Sequence, residues 1–140
     1  MLWSLVAIAV GAALNWGVVA LRDHATFGTI FDEKELTVTV GPGERFSLAV
    51  PDGGSIGDEW SATVAPDGVL TATGNRLVMS NLLDRIFGPQ AGGGAGTRYF
   101  TYSANQPGVA TVRLFDCFQG MCNTPYDKYS RAVTWTVTVK

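Results

Sequence analysis

The sequence predicts an all-β protein, a seven-stranded antiparallel sandwich of the immunoglobulin-like type, preceded by one N-terminal transmembrane helix. Apolar and polar residues alternate strictly over 36–40 and 133–139, which is typical of half-buried strands in an antiparallel sheet. Seven such segments fit into about 105 residues, the number and spacing of an immunoglobulin-like domain. Ahead of them, residues 2–21 carry no charged side chain, and about 20 apolar residues are enough to cross a bilayer core.

The N-terminal segment is the first predicted element. Trp3 and Trp16 suit the two membrane interfaces, where tryptophan is enriched. A cleaved signal peptide is the competing interpretation, with small residues at 18–20 for cleavage, but no Lys or Arg precedes the apolar run. We therefore predict a retained signal anchor.

The remaining chain has room for one domain. We predict a transmembrane signal anchor over 1–21, a short polar linker over 22–35 and a β-sandwich domain over 36–140. The 12 acidic and 10 basic residues nearly balance, which gives no indication of a nucleic-acid partner. His24, the single histidine, lies in the linker.

Strands are predicted wherever Val, Thr, Phe and Trp alternate with polar residues. Gly74-Asn75 interrupts the fourth strand as either a β-bulge or a hairpin turn, and the number seven treats that strand as one bent strand. The predicted strands, named A to G, lie near 36–40, 46–50, 59–64, 69–79, 97–103, 109–115 and 133–139.

The connections between these strands are of two kinds. The A–B, C–D and E–F links are short and have standard turn residues such as Pro-Asp-Gly. The B–C, D–E and F–G links are long, at 51–58, 80–96 and 116–130. Because antiparallel strands alternate in direction, the three long loops emerge at one end of the sandwich, where function on a β-scaffold usually resides. A hairpin at Gly74-Asn75 would reverse this arrangement.

Glycine is concentrated in two of these loops, over 54–57 and 92–96, each of which runs into an aromatic-bearing strand. Glycine in a loop adds backbone entropy that folding must offset, so these residues indicate unusual backbone angles or close approach of a partner. A flexible hinge is the alternative. No Gly-Lys-Ser/Thr sequence follows, which excludes a phosphate-binding loop.

The first two loops resemble those of a known family, the chagasin-like inhibitors of papain-family cysteine proteases. The first loop in that family reads Asn-Pro-Thr-Thr-Gly, two residues, then Trp. Here Ser55, Ile56, Gly57 and Trp60 hold the matching offsets. Gly-Gly at 53–54 replaces Asn-Pro.

The second loop in that family reads Gly-x-Gly-Gly-Thr-x-x-Phe. Gly93, Gly96, Thr97 and Phe100 match it, with Ala95 at one glycine position. The third loop in the family carries Arg-Pro-Trp after strand F. The corresponding residues 116–118 are Asp-Cys-Phe, which keep only the aromatic residue.

The resemblance implies a binding domain that fills a papain-like protease cleft with these loops, and no catalytic activity, cofactor or small-molecule substrate. No Ser-His-Asp set or metal-spaced ligand cluster indicates an enzyme. The residues expected to contact the partner are Ser55, Ile56, Gly57, Gly94, Ala95, Gly96, Thr97, Asp116 and Phe118.

Two cysteines, Cys117 and Cys122, lie close together in the third loop. A disulfide between them would close a small ring and indicate an oxidising compartment, whereas two free thiols would suit a cytosolic domain. We predict the disulfide and an extracytoplasmic domain on a single-pass membrane protein. Phe118 and Met121 are then either exposed contact residues or buried by the folded-back ring.

Two functions are consistent with these features. The first is a membrane-tethered inhibitor of a papain-like cysteine protease. The second is a single-span accessory subunit that docks on a larger membrane protein complex without inhibitory activity. Strand A is predicted to begin at the same end as the long loops, which places the tether on the loop side and favours the second function.

Overall fold

The computed structural model describes residues 24–53, 59–80 and 96–140 of the 140-residue chain. The described residues form eight strands in two four-stranded sheets, in the orders β1-β3-β6-β5 and β2-β8-β7-β4. The strands are β1 Thr29–Phe31, β2 Thr37–Val40, β3 Arg45–Asp52, β4 Glu59–Ala65, β5 Leu70–Met79, β6 Gly96–Ala104, β7 Gly108–Cys117 and β8 Arg131–Val139. The short helices are one turn over 24–27 and two 3₁₀ turns, Phe118–Gly120 and Pro125–Tyr129.

The alternation in sequence gives the two sheets their buried faces. In β8, Val133, Trp135, Val137 and Val139 are buried, while the polar residues between them are exposed or half-buried. The two sheets meet through such residues in a single core. Trp135 and Tyr102 are the largest fully buried side chains. The predicted all-β sandwich is confirmed, but it is not wholly antiparallel as predicted, because β1 pairs in parallel with β3 and β2 pairs in parallel with β8.

The aromatic residues between the sheets occupy two kinds of position. Trp135 and Phe100 belong to the core cluster, and the Trp135 indole N–H donates to the Asp32 carbonyl oxygen at 3.3 Å. Phe46 stacks on Tyr102 with ring centroids 5.7 Å apart. Trp60 is half-buried and packs against the edge of the core.

The fourth predicted strand is one bent strand. β5 pairs with β6 along its length, and the register shifts by one residue between Ala72 and Gly74. This is a β-bulge, which bends a strand without reversing it. The directions predicted for the later strands therefore hold.

An eighth strand lies in the segment that the sequence predicted as a linker. β1 pairs in parallel with β3, with Thr29 opposite Phe46 and Phe31 opposite Leu48. Residues 24–31, the N-terminal strap, are therefore part of the folded domain. The alternation of apolar and polar residues did not reveal β1, because three residues are too few to show a period of two.

The N-terminal strap covers the outer face of the first sheet. The Phe27 ring stacks on Tyr99 with centroids 4.4 Å apart. The Ser47 hydroxyl donates to the Phe27 carbonyl oxygen at 2.6 Å and lies 2.8 Å from the Thr101 hydroxyl. These contacts bury the outer side chains of β3, so residues 46–50 of that strand are buried on both faces.

The strap also corrects the expected position of the tether. β1 runs parallel to β3, so its first residue lies beside the start of β3, next to the turn at 41–44. The Arg45 guanidinium donates to the Ala25 carbonyl oxygen at 2.8 Å. β2 begins at the end of the sandwich that carries the long loops, as predicted for strand A. The chain reaches β2 through β1, however, and β1 starts at the other end. Residue 24 therefore lies at the end of the sandwich away from the start of β2.

No helix among residues 24–53, 59–80 and 96–140 is long and apolar enough to cross a membrane. The predicted anchor over 1–21 lies outside the described residues.

Two glycines, one in the strap and one in the turn before β3, test the docking of the strap. Gly28 and Gly43 both have left-handed backbones, with φ of 65° and 80°. A Cβ at Gly28 would lie 2.0 Å from the Arg45 carbonyl oxygen, whereas a Cβ at Gly43 would meet nothing within 4 Å. Gly43→Ala should cost about 1–2 kcal/mol of unfolding free energy for the left-handed backbone. Gly28→Ala should cost about 3 kcal/mol or more because steric overlap is added. Urea unfolding checks both, and equal losses would contradict the docked strap.

Tyr102 makes stability depend on alkaline pH. Burial raises its pKa from 10.0 to about 12. Between these values the unfolded chain loses the phenol proton and the folded chain keeps it, so stability is complete below pH 10 and falls as pH rises. The loss should be about 1.4 kcal/mol per pH unit. Urea unfolding between pH 9 and about pH 11.5 checks this, and Tyr102→Phe should lack this part of the slope. Parallel slopes for the two proteins would exclude the effect.

Candidate functional site

The strand register brings the three long connections to one end of the sandwich, the loop end. In the first sheet Gly96 pairs with both Asp52 and Met79, so β3 and β5 end where β6 begins. In the second sheet Glu59 pairs with Cys117, so β4 begins where β7 ends. Glu33 lines a groove with Pro51 and Thr97 at the end of the first sheet. It also forms an ion pair with Arg131 at the start of β8, which places both sets at the same end. This is the arrangement that the sequence predicted.

Several predicted contact residues lie outside the described residues. Ser55, Ile56 and Gly57 belong to the connection between β3 and β4, and Gly94 and Ala95 to the connection between β5 and β6. The structure describes the strand ends on which these connections are mounted. Their role in contact with a partner stays a prediction.

Gly96 is a packing residue at the start of β6. It is buried, and a Cβ there would lie 2.9 Å from the Leu77 Cδ1 atom and 3.0 Å from the Val78 carbonyl oxygen. A larger residue would therefore push β6 away from β5. Close approach of two strands of the same domain explains this glycine.

Thr97, the next residue, pairs with Pro51 on the outer face of the first sheet. It is half-buried and lines a shallow groove with Ile30 and Tyr99. Thr97 is therefore accessible to a partner that contacts the loop end from that side.

A partly buried ion pair joins the end of β3 to the start of β6. The Arg98 Nε donates to the Asp52 Oδ2 at 2.6 Å, and its Nη1 donates to the Asn75 Oδ1 at 2.8 Å. The Asp52 side chain is 0% exposed and that of Arg98 is 23% exposed. Removing one partner from such a pair leaves a buried charge, which is strongly destabilising. Sequence analysis missed this pair because its members are 46 residues apart.

The third loop begins later than predicted. β7 continues to Cys117, and Asp116 pairs with Trp60 and Arg131 inside the ladder. Only 6% of Asp116 is exposed. Asp116 is therefore a strand residue with little exposed surface, and its contact with a partner stays a prediction.

The predicted disulfide between Cys117 and Cys122 is present, with a Cα–Cα distance of 5.0 Å. Inside the ring, Gln119 and Gly120 have left-handed backbones, with φ of 49° and 70°. The Met121 N–H donates to the Phe118 carbonyl oxygen at 2.8 Å. The disulfide therefore closes a tight turn at the end of β7.

The side chains of the third loop are folded onto one another. Phe118 and Met121 are half-buried, so the structure lies between the two alternatives that the sequence left open. The Phe118 ring packs against Tyr129 at a centroid distance of 5.1 Å. Tyr129 is 54% exposed. Sequence analysis missed Tyr129 as a contact candidate because its position beside Phe118 arises only when the loop folds back.

A second set of contacts ties this loop to the β1–β2 connection. The Arg131 guanidinium lies over the Trp60 ring, 5.2 Å from its centroid. Arg131 also forms an ion pair with Glu33. A cation over an indole ring and an ion pair each add modest stability, and together they join three segments at the loop end.

The loop end offers surfaces for binding. No cluster of three or more His, Cys, Asp or Glu residues suited to a metal ion occurs within 24–53, 59–80 and 96–140. His24 lies beside Glu44 and Arg45, at the end of the sandwich opposite the loops.

Solved structures share this architecture. The chain is similar to the cysteine protease inhibitor EhICP2 from Entamoeba histolytica, with 16% identity and a TM-score of 0.56 over 80% of this chain and 95% of that one. It is similar to amebosin, with 18% identity and a TM-score of 0.57 over 80% and 97%. It is also similar to PbICP-C in a complex with falcipain-2, with 13% identity and a TM-score of 0.55 over 80% and 92%.

Among these neighbours, EhICP2 is a cysteine protease inhibitor and PbICP-C was solved bound to falcipain-2. The chain shares their fold. At such low identities the likeness concerns the fold, and the resemblance noted in the loop motifs is confirmed at that level. No protein-family model matches the sequence, and no curated protein matches it.

A glycine pair tests the packing at the base of the second loop. Gly96→Ala should lower the unfolding free energy by about 1–3 kcal/mol because the new methyl group overlaps β5. Gly74, on β5, is the matched control, since a Cβ there would meet only the Thr101 Cβ at 3.8 Å. Gly74→Ala should be neutral or stabilising by up to about 1 kcal/mol. Urea unfolding checks both, and an unchanged midpoint for Gly96→Ala would reject the packing role.

Proposed function

We propose that this chain is a protein inhibitor of papain-like cysteine proteases that occludes the protease cleft with the three loops at its loop end. The observation that carries the proposal is the convergence of three long connections at one end of a sandwich that is similar in fold to the cysteine protease inhibitor EhICP2. One of these neighbours was solved in complex with falcipain-2.

The proposed mechanism is steric. The first loop would enter the cleft with Ser55, Ile56 and Gly57, and the second loop with the segment 94–97. The third loop would contact the edge of the cleft through Phe118. Glycine permits close approach of the inhibitor backbone to the protease surface. Inhibition requires no reaction by the inhibitor, because a filled cleft excludes substrate.

A rigid base favours such binding. The Asp52–Arg98 ion pair joins the end of β3, which precedes the first loop, to the start of β6, which follows the second. The Cys117–Cys122 disulfide closes the third loop. Ordering loops on binding costs free energy, so a framework that limits their motion beforehand improves affinity. These contacts make the loop end a suitable platform for insertion.

The proposal includes the membrane anchor predicted over 1–21 and the extracytoplasmic position of the domain. The disulfide supports an oxidising compartment. The strap holds residue 24 at the end of the sandwich opposite the loops. An anchor that precedes this residue would leave the loops directed away from the membrane and accessible to a protease.

The accessory-subunit function has lost the observation that favoured it. That hypothesis depended on a tether at the loop side, and the strap enters at the opposite end. No contact among the described residues favours docking on a membrane complex over inhibition.

Inhibition of papain tests the proposed function. The full chain in mild detergent should inhibit hydrolysis of a fluorogenic peptide competitively, with an inhibition constant of about 1 μM or lower. Ile56→Asp should raise that constant at least about 30-fold, because it buries an unpaired carboxylate in the cleft.

Val109→Asp is the matched control for this substitution. Val109 is 54% exposed and lies at the start of β7, at the end opposite the loops. Its inhibition constant should stay within about two-fold of wild type, since exposed substitutions far from a site have small effects. Absence of inhibition by the wild-type chain at about 10 μM would refute the proposed function.

A further inference from the structure

Tyr129, in the third loop, is a large aromatic residue that is exposed to solvent. Tyr129 is 54% exposed, and the other exposed large apolar residues of the described chain are aliphatic. Tyrosine offers a rigid, amphipathic contact surface at low entropic cost and is enriched among residues that dominate binding energy. Its position at the loop end therefore needs a physical explanation.

The surrounding loop holds this ring in place. One face of Tyr129 packs against Phe118, which follows the disulfide-bonded Cys117 directly. The Phe118 N–H donates to the Ser130 hydroxyl at 3.0 Å, joining the two ends of the loop. Tyr129 therefore packs against the ring of Phe118, whose backbone is held to Ser130, while about half of the Tyr129 surface stays exposed.

A positive charge accompanies the ring. The Lys128 Nζ lies 5.0 Å from the Tyr129 ring centroid. Lys128 has no carboxylate partner within the described segments of the chain. A cation above an exposed aromatic ring suits a partner surface that is apolar and has a carboxylate at its margin.

We propose that Tyr129, supported by Phe118 and accompanied by Lys128, is the contact surface of the third loop, and that it binds an apolar wall of the protease cleft bordered by a carboxylate. This inference rests on the proposed function and names the residues that determine specificity within it. It replaces Asp116, which is buried in β7, with residues near the end of the loop.

The surface depends on the disulfide. Reduction by a dithiol breaks the Cys117–Cys122 bond, leaves a thiol on each cysteine, and converts the dithiol into its own disulfide. The turn that contains Gln119 in a left-handed backbone then loses its closure. Phe118 loses its fixed position at the start of that turn, and Tyr129 loses the ring against which it packs.

The test compares inhibition constants of single variants against papain. The protease is first reduced and then separated from reductant, so that its active-site thiol is available and the inhibitor disulfide stays intact. Tyr129→Ala should raise the inhibition constant about 30-fold, which corresponds to a residue that dominates binding. Tyr129→Phe, which keeps the ring, should stay within about three-fold.

Two further variants examine the charge and the disulfide. Lys128→Gln should raise the inhibition constant up to about five-fold at low salt, and the difference should vanish near 1 M salt. Cys117→Ser with Cys122→Ser should raise it about ten-fold, and prior reduction of the wild-type inhibitor should give the same result.

Val109→Ala is the control for Tyr129→Ala, because Val109 is equally exposed at 54%. Thermal unfolding of every variant separates loss of contact from loss of fold. If the wild-type chain inhibits and Tyr129→Ala matches Val109→Ala, the inference is overturned and the proposed function stands. If the wild-type chain does not inhibit, the proposed function fails and the inference fails with it.

Discussion

The burial of β3 on both faces is the constraint that organises this domain. Its inner side chains enter the core between the sheets, and its outer side chains lie under the N-terminal strap. The strap reaches them because Gly28 brings its backbone against Arg45. With β3 held from both sides, its end at Asp52 is fixed, and Asp52 in turn holds Arg98 at the base of the loops.

The two glycine-rich segments contain residues of two kinds: one that packs within the domain and others that are proposed to contact the protease. Gly96 allows β5 and β6 to approach each other, a requirement within the domain. Ser55, Ile56, Gly57, Gly94 and Ala95 precede or follow such strand ends and keep their proposed role in the cleft. Glycine content alone does not separate these uses, because a tight strand contact and a partner contact both require the absence of a Cβ.

In the third loop, the disulfide is a local feature of the sequence, whereas the exposed surface depends on contacts between residues further apart. The disulfide was predictable from two closely spaced cysteines, and it is present. The surface that it supports was not predictable, because Phe118 meets Tyr129 only after the loop has folded back from β7. Likewise, Asp116 looked like a loop residue in sequence and proved to be part of a strand, since pairing with Trp60 extends β7.

Most of the fold follows from the sequence itself. The period of two in β2 and β8, the turn residues and the number of strands after residue 35 are local patterns, and local patterns can be recognised in a single sequence. The bent strand at Gly74 and the convergence of the long loops agree with that analysis. The position of the strap, the Asp52–Arg98 pair and the exposure of Tyr129 depend on residues far apart in the chain, and only packing brings them together. Such contacts produce no periodic pattern in the sequence, because each is a single contact between two residues that are far apart in the chain.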